Sequence, residues 1–296
     1  MMKHEPIELS PLVWGHWRLP EWNLTSREIL NLTQQCIALG VTTIDSADIY
    51  GDYSCEKLFG DALALEPSVR NQIQIITKCG IRLISRKFPE VTVKHYDYSY
   101  NHIVSSVEKS LKNFRTDHID LLLLHRPSPL LNPGEVALAF NHLYSTGKVL
   151  HFGVSNFLPH QVEMLQSFTP IPLVANQIEI STLQVEHLKN GNLDYLMQKR
   201  IIPMAWSPLG GGRLLSPKSE TDKRVAKVIH KIAKESSLLP EQVAIAWLTT
   251  HPSGIIPVVG SGKFERIKNA YNALNTKLSI QQWFEVYSAS IGEDVP

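Results

Sequence analysis

Short apolar runs alternate with longer amphipathic stretches along almost the whole chain, and this alternation restricts the possible fold more than any other feature. Most of the runs do not alternate polar with apolar residues, which is typical of strands covered on both faces. Strand and helix alternating in this way predict a parallel sheet. The eight runs occupy residues 12–17, 41–46, 73–79, 118–125, 150–155, 173–180, 201–207 and 254–260.

Helical signals fill most of the intervals between the runs. Residues 101–114 place Ile103, Val107, Leu111 and Phe114 on one face of a helix. Later stretches carry the residues expected at helix ends, with Pro240 suited to a first turn and Gly147 to a C-terminal cap.

Eight strand–helix units predict a closed (β/α)₈ TIM barrel, with one domain spanning residues 1–296. The alternative is an open doubly wound sheet, which usually carries a glycine-rich turn after its first strand. The sequence "LVWGHWRLP" has no GxGxxG pattern, so the barrel is favoured. In a barrel the substrate and cofactor loops lie at the C-terminal face of the strands, and the longest candidates are residues 80–100 and 208–222.

Composition excludes several classes of partner. The net charge is +1 with charges mixed along the chain, which indicates no nucleic-acid track. No apolar run has the roughly 18 residues of a membrane helix, and "MMKHEPIELSP" lacks the apolar core of a secretory signal. Three cysteines without CxxC spacing indicate reduced thiols and a cytoplasmic protein. The histidines show no zinc-ligand spacing, so no metal site is predicted.

Polar side chains stand where several of the predicted strands end. Asp45 and Tyr50 follow the second run in "TTIDSADIYG", Lys78 lies near the end of the third, and His125 ends the fourth. Each has an ordinary explanation by itself, such as a packed aromatic or a hydrogen-bonded core histidine. Their joint position suggests a shared site, because strand ends of a barrel converge on one bowl.

The chemistry of these four residue types favours proton transfer to a carbonyl. We expect the Lys78 ammonium to lower the pKa of Tyr50 and Asp45 to keep that ammonium in place. A neutral His125 would orient a substrate carbonyl toward the phenol, which acts as a general acid. None of these side chains supplies a hydride, so a nicotinamide cofactor is implied.

Five ordered motifs, "TTIDSADIYG", "ITKCG", "HIDLLLLHRP", "GKVLHFGVSNF" and "AWSPLGGG", resemble the signatures of the aldo-keto reductases. The resemblance extends from Gly15 to about Ala270 and is greatest to bacterial oxidoreductases of the YdhF type. It implies that Asp45, Tyr50, Lys78 and His125 are catalytic and that NADP binds without a Rossmann turn.

The resemblance also implies the cofactor contacts. The carboxamide is assigned to Ser155, Asn156 and Gln177, and ring stacking to Trp206. The pyrophosphate is assigned to the glycine-rich loop, through Ser207, Pro208, Leu209 and Gly210. The 2′-phosphate is assigned to a later segment with two cations, through Gly260, Ser261, Gly262, Lys263 and Arg266. Asn269 and Ala270 depart from the Glu-Asn pair common in the family. Trp17 is a candidate wall of the substrate pocket.

Three functions stay open at this point. The first is NADPH-dependent reduction of an aldehyde or ketone, with a small-molecule carbonyl as the partner. The second is a nicotinamide-binding regulatory or redox-sensing subunit with slow turnover. The third is a barrel lyase or isomerase that uses Lys78 as a Schiff base. Neither the substrate nor the oligomeric state follows from the sequence.

Overall fold

A computed structural model describes residues 6–296 of the chain. Within this range, eight parallel strands form a closed barrel in the order β1-β10-β9-β8-β7-β6-β3-β2, and β4 and β5 form a separate two-stranded sheet. The strands are β1 (Val13–Gly15), β2 (Thr43–Asp45), β3 (Gln74–Cys79), β4 (Ile81–Arg82), β5 (His95–Tyr96), β6 (Ile119–Leu124), β7 (Val149–Ser155), β8 (Leu173–Glu179), β9 (Ile202–Trp206) and β10 (Ile256–Val259). The predicted (β/α)₈ barrel is confirmed. Seven of the eight predicted runs contain one whole barrel strand, and β7 begins one residue before its run, at Val149.

Helices follow the barrel strands as the sequence predicts. They are α1 (Ser26–Leu39), α2 (Tyr50–Tyr53), α3 (Cys55–Leu63), α4 (Tyr100–Phe114), α5 (Pro133–Ser145), α6 (Pro159–Gln166), α7 (Asn192–Lys199), α8 (Glu220–Ser236), α9 (Pro240–Thr250), α10 (Phe264–Ala273) and α11 (Ile280–Ile291). The four apolar residues predicted to share one face of α4 are all buried. Single 3₁₀ turns cover Leu19–Trp22, Pro67–Gln72, Glu186–Leu188 and Gly210–Gly212.

The chain divides into two compact units. The first contains the described residues up to Asn176 together with Gly260–Phe264. In it β2 pairs in parallel with β1 and β3, β3 pairs with β6, and β6 pairs with β7. Gly153 of β7 lies so close to its neighbour that an added Cβ would stand 2.5 Å from the carbonyl oxygen of Ala175. A glycine is therefore needed at this point of the sheet.

The second unit contains Gln177–Val259 and Glu265–Pro296. Here β9 pairs in parallel with β10. The rings of Trp247 in α9 and Trp283 in α11 stack with centroids 5.0 Å apart. Each indole N–H donates a hydrogen bond of 3.0 Å to the backbone carbonyl of the other tryptophan, so α9 and α11 are joined by polar and apolar contacts together. The single domain over residues 1–296 stays a prediction.

The structure differs from the sequence prediction inside the two long loops. Residues 80–100 contain the antiparallel pair β4 and β5, in which Ile81 faces Tyr96. Two-residue strands have no hydrophobic period, so a pattern search does not detect them. Residues 208–222 are shorter as a loop than expected, because α8 already begins at Glu220.

Candidate active site

Three strand ends of the first unit position the candidate catalytic side chains. Asp45 is the last residue of β2, and Lys78 is the last but one of β3. His125 follows β6, and Tyr50 begins α2 just beyond β2. Because β2, β3 and β6 run in parallel and pair with one another, these four residues lie at the same edge of the sheet.

The ammonium of Lys78 is surrounded by three oxygen acceptors. Its Nζ lies 2.7 Å from Oδ1 of Asp45 and 2.7 Å from the backbone oxygen of Ser46. It donates a third hydrogen bond to the phenolic oxygen of Tyr50 over 3.3 Å. An ammonium has three N–H donors, so each of them has an acceptor in this arrangement. The side chain of Lys78 is 0% exposed, so the ion pair with Asp45 lies out of water.

Burial and charge act in opposite directions on Tyr50. Burial raises the pKa of Tyr50, while the Lys78 ammonium lowers it, and the net result is a pKa above the ordinary value of 10.0. The lowering expected from Lys78 is present, but desolvation of the phenolate outweighs it, so the net pKa is raised. Burial lowers the pKa of Lys78, but Asp45 and Tyr50 together raise it above its usual value. Tyr50 is thus a neutral phenol and Lys78 a charged ammonium at neutral pH.

His125 is a neutral base beside the phenol. Its ring centroid lies 5.7 Å from that of Tyr50, with the ring planes at 74°. Burial, followed by the positive charges of Lys78, Arg126 and Lys94, holds the pKa of His125 well below its ordinary value. Its Nδ1 is buried and has no hydrogen-bond partner among residues 6–296. A neutral imidazole has one N–H donor, which makes the hydrogen-bond donation expected of His125 chemically available.

The segment Gly260–Phe264 of the first unit leads into the N-terminus of α10. Ser261 is buried, its hydroxyl accepts a hydrogen bond of 3.1 Å from the backbone N–H of Lys263, and Gly262 lies beside the ring of Trp22. The indole N–H of Trp14 donates to the backbone oxygen of Ser261 over 2.9 Å. Trp14 and Trp22, stacked with centroids 5.8 Å apart, therefore support this segment. The sequence analysis missed this support because it depends on a contact between residues far apart in the chain.

The other predicted cofactor residues of the first unit lie at the end of β7. Ser155 is buried and is the last residue of the strand. The side-chain amide of Asn156 donates to the hydroxyl of Ser155 over 2.7 Å. Asn156 has a φ of 61°, a left-handed conformation that asparagine tolerates better than most residues. Trp17, the candidate wall of the substrate pocket, is 58% exposed just beyond β1.

The second unit carries the remaining predicted cofactor residues. Gln177 is buried on β8, and Trp206 is the last residue of β9 and half-buried. The residues Ser207, Pro208, Leu209 and Gly210 follow directly, and the N–H of Gly210 donates to the oxygen of Ser207 over 2.8 Å. Arg266 lies exposed in the first turn of α10. The role of each of these residues stays a prediction.

The sequence analysis also missed the environment of Asp48. This carboxyl is buried, and its Oδ1 has no hydrogen-bond partner in the described part of the chain. Burial and the neighbouring Glu56 raise the pKa of Asp48 well above its usual value. Glu56 is itself buried and accepts hydrogen bonds from Thr77 and Ser110. A second buried carboxyl group, that of Glu56, therefore lies near Asp48.

The described residues contain neither a metal-binding cluster nor a membrane-spanning helix. From residue 6 to residue 296, no group of three or more histidine, cysteine, aspartate or glutamate side chains is placed to hold a metal ion. Within that range no helix is both long and apolar enough to cross a membrane. Cys36, Cys55 and Cys79 are buried free thiols.

The chain is thus a closed parallel barrel with an Asp–Lys–Tyr–His cluster at its strand ends. A model of the Aldo/keto reductase family matches residues 11–291, and the chain belongs to that family. The resemblance seen in the sequence is thereby confirmed.

Similar proteins agree with this assignment. Oxidoreductase YdhF of Escherichia coli is 47% identical, over 98% of this chain and 96% of the relative. A 6-dehydroglucose reductase of Agrobacterium fabrum is 44% identical, over 98% of this chain and 97% of the relative. Among solved structures, the thermostable aldo-keto reductase Tm1743 in complex with the inhibitor epalrestat has a TM-score of 0.79 and 25% identity, covering 96% of each chain.

Proposed function

We propose that this protein reduces an aldehyde or ketone to an alcohol with NADPH. The observation that carries the proposal is the position of the Lys78 ammonium, 2.7 Å from the Asp45 carboxylate and 3.3 Å from the Tyr50 hydroxyl. This arrangement supports a phenol that releases its proton to a developing alkoxide, because the charge left on the phenolic oxygen is next to a fixed cation.

The proton moves from the Tyr50 hydroxyl to the carbonyl oxygen while a hydride adds to the carbonyl carbon. The product is a neutral alcohol, and the proton lost by Tyr50 is replaced from solvent. Because the pKa of Tyr50 is raised, the phenol carries this proton at neutral pH. Lys78 stabilises the phenolate that forms, and Asp45 holds Lys78 in place.

His125 orients the carbonyl in this proposal. A substrate oxygen that accepts a hydrogen bond from the neutral imidazole lies beside the phenol, because the two rings are neighbours. An imidazolium at His125 would add a second positive charge near Lys78. Burial and the charge of Lys78 lower the pKa of His125, so the imidazole stays neutral.

The residues present fit NADP. The resemblance assigns the carboxamide to Ser155, Asn156 and Gln177, whose hydroxyl and amide groups suit its polar atoms. Gly211 and Gly212 have positive φ and open space at the position of a Cβ, so no side chain would keep a phosphate away from this backbone. When bound, NADPH supplies the hydride. Trp206 offers a flat aromatic face for stacking.

The preference for NADP over NAD rests on the start of α10. Lys263 precedes the helix and Arg266 lies in its first turn, both exposed. Two cations at a helix N-terminus favour a phosphate monoester, since the helix dipole and both charges attract the anion. Ala270, where the family commonly has asparagine, is buried and presents no polar group. We therefore propose that recognition of the 2′-phosphate depends on Lys263, Arg266 and Ser261.

The substrate class is narrower if the Agrobacterium relative is a guide. That protein is a 6-dehydroglucose reductase and shares 44% identity over nearly the whole chain. We propose polyhydroxylated aldehydes as the first substrates to examine, with Trp17 as an apolar wall against the carbon skeleton. We further propose a cytoplasmic location, in keeping with three buried free thiols.

The other two functions have less support. A Schiff base needs a neutral amine, and the contacts of Lys78 with Asp45 and Tyr50 favour the ammonium. A regulatory subunit needs no complete acid–base cluster, whereas here Lys78 contacts both Asp45 and Tyr50, and the His125 ring lies beside that of Tyr50. A putative voltage-gated potassium channel subunit beta is a distant relative at 26% identity. The measured turnover rate distinguishes a carbonyl reductase from a regulatory subunit.

The test is cofactor consumption by the purified protein against aldehydes, ketones and quinones, with NADPH and NADH in parallel. We expect steady oxidation of NADPH with at least one aldehyde, and slower oxidation of NADH. Tight NADPH binding with no turnover faster than minutes would favour the regulatory subunit. Borohydride trapping of a substrate on Lys78 would favour the lyase.

A further inference from the structure

Tyr98 lies behind His125, in the tyrosine-rich stretch "KHYDYSYN" that the proposed chemistry does not use. It is 5% exposed, and its hydroxyl faces the backbone of Arg126, the residue directly after His125. The backbone N–H of Arg126 donates to the Tyr98 hydroxyl over 3.0 Å. The same hydroxyl donates to the backbone oxygen of Arg126 over 2.5 Å. One hydroxyl thus hydrogen-bonds both backbone polar groups of Arg126, which belong to two consecutive peptide units.

The segment that carries His125 is held from both sides. The N–H of His125 donates to the backbone oxygen of Cys79 over 3.0 Å, which extends the pairing of β3 with β6 by one residue. Beyond this bond the barrel ladder ends. At the next residue, Arg126, the backbone is hydrogen-bonded to the Tyr98 hydroxyl instead. The backbone on either side of the His125 Cα is therefore fixed by hydrogen bonds.

The position of Tyr98 is itself fixed by the segment that follows Lys78. Gly80 has a φ of 106°, and a Cβ added there would stand 1.9 Å from the ring of Tyr98. A glycine is therefore required for the ring to lie flat against this backbone. The N–H of Asp97 donates to the oxygen of Gly80 over 2.9 Å, and the pairing of β4 with β5 closes the loop between them.

Tyr98 can serve both hydrogen bonds only as a neutral phenol, since a phenolate has no proton to donate. Burial raises the pKa of Tyr98 far above its ordinary value, so the hydroxyl keeps its proton throughout the working range of pH. The donor and acceptor roles therefore do not change with pH near neutrality.

We propose that Tyr98 is a positioning residue, whose hydroxyl holds the His125–Arg126 backbone so that the His125 ring stays beside Tyr50. This proposal rests on the carbonyl reduction proposed above. The Tyr98 side chain acts through the backbone and touches neither the substrate carbonyl nor the reacting proton. Its loss alters the orientation of the carbonyl and leaves the cofactor residues unchanged.

The kinetic test compares Tyr98→Phe with Tyr53→Phe. Tyr53 is the matched control, because its hydroxyl also accepts a backbone N–H, that of Leu83 over 2.9 Å, but makes no contact with the His125–Arg126 segment. In Tyr98→Phe we expect kcat/KM for the carbonyl to fall at least about tenfold and the Kd of NADPH to stay within about twofold. The deuterium isotope effect on hydride transfer should rise. Tyr53→Phe should resemble the wild type in each measurement.

A second readout does not depend on turnover. The ring resonances of His125, assigned with His125→Gln in histidine-labelled protein, should move in Tyr98→Phe and stay in place in Tyr53→Phe. Resonances that do not move, or an unchanged kcat/KM, would overturn the positioning role. A wild-type protein without carbonyl turnover would refute the proposed function. The His125 resonances would still show whether loss of the Tyr98 hydroxyl moves the His125 ring.

A third measurement uses only the wild type, so it applies even if the Tyr98→Phe variant does not fold. In the wild type the Arg126 amide should exchange with solvent at least about a hundredfold more slowly than an unstructured amide, because it is hydrogen-bonded to a buried hydroxyl. Exchange at the unstructured rate would overturn the proposal directly.

Discussion

The Tyr50 hydroxyl lies 3.3 Å from the Lys78 ammonium, yet its pKa is raised above the ordinary value. Burial is the larger of the two opposing effects. The lysine therefore does not convert the phenol to phenolate in the resting protein. In the proposed mechanism its charge stabilises the phenolate only once the proton leaves, as a general acid that still holds its proton at neutral pH requires.

The first prediction concerns the pH dependence of reduction. Because the pKa of Tyr50 is raised, the phenol stays protonated up to pH values above about 10. The rate of reduction should therefore fall only at alkaline pH, where Tyr50 loses its proton. Since His125 is neutral at pH 7 with its pKa well below the usual value, its protonation affects the rate only in acid. We expect kcat at saturating NADPH to be flat from about pH 7 to pH 9. An alkaline midpoint below about pH 9 would contradict this.

The second prediction concerns the buried ion pair. In Lys78→Met the Asp45 carboxylate stays buried after losing its cation, and we expect a loss of roughly 3–5 kcal/mol in the free energy of unfolding. Asp45→Asn combined with Lys78→Met removes both charges and should recover at least about half of that loss. Urea unfolding of the two variants and the wild type measures both values. Equal stability of Lys78→Met and the wild type would show that the pair is not buried as described.

The third prediction concerns His16, which is buried against Trp14 and Phe59 with ring centroids 4.4 Å and 4.7 Å away. Burial lowers its pKa from 6.5 to about 3. The unfolded chain binds a proton below pH 6.5 that the folded protein does not, so stability is complete above pH 6.5 and is lost as pH falls toward 3. The full effect is about 5 kcal/mol, at 1.36 kcal/mol per pH unit.

His16→Leu should therefore reduce the loss of thermal stability between pH 7 and pH 4.5. His160→Leu is the control, because His160 is exposed on α6 and its replacement should leave the acid sensitivity of the wild type in place. Melting temperatures of the three proteins at both pH values supply the comparison. An equal loss in His16→Leu and the wild type would remove His16 from the account of acid stability.

The fourth prediction concerns the choice of cofactor. Arg266→Ala should raise the Kd of NADPH at least about tenfold and leave the Kd of NADH within about twofold, since only NADPH carries the 2′-phosphate. Lys268→Ala is the matched control, an exposed cation on the same helix two residues further along. Fluorescence titration measures each Kd. An equal loss of affinity for both cofactors would place Arg266 away from the 2′-phosphate.

The barrel was predictable from the sequence because its strands are covered on both faces. Val13, Ile44 and Ile75 are almost completely buried, as residues in an unbroken apolar run should be. The strand ends then followed from the rule that functional side chains cluster at the carboxyl face of a parallel barrel. For this reason Lys78 and His125 can be identified from the sequence alone.

Other features needed the structure. The direction of the Tyr50 pKa depends on a balance between desolvation and one charge, which the sequence does not quantify. The Tyr98 hydrogen bonds depend on the positive φ of Gly80, and the support of Ser261 by Trp14 joins residues 247 positions apart. Contacts of this kind leave no periodic pattern in a single chain.

Tyr50→Phe tests the account most directly. The ring and its packing against His125 are kept, and only the hydroxyl that contacts Lys78 is removed. We predict that kcat for carbonyl reduction falls by at least about a thousandfold, while the Kd of NADPH stays within about threefold. A variant that reduces the carbonyl at the wild-type rate would show that the proton comes from elsewhere and would contradict the proposed mechanism.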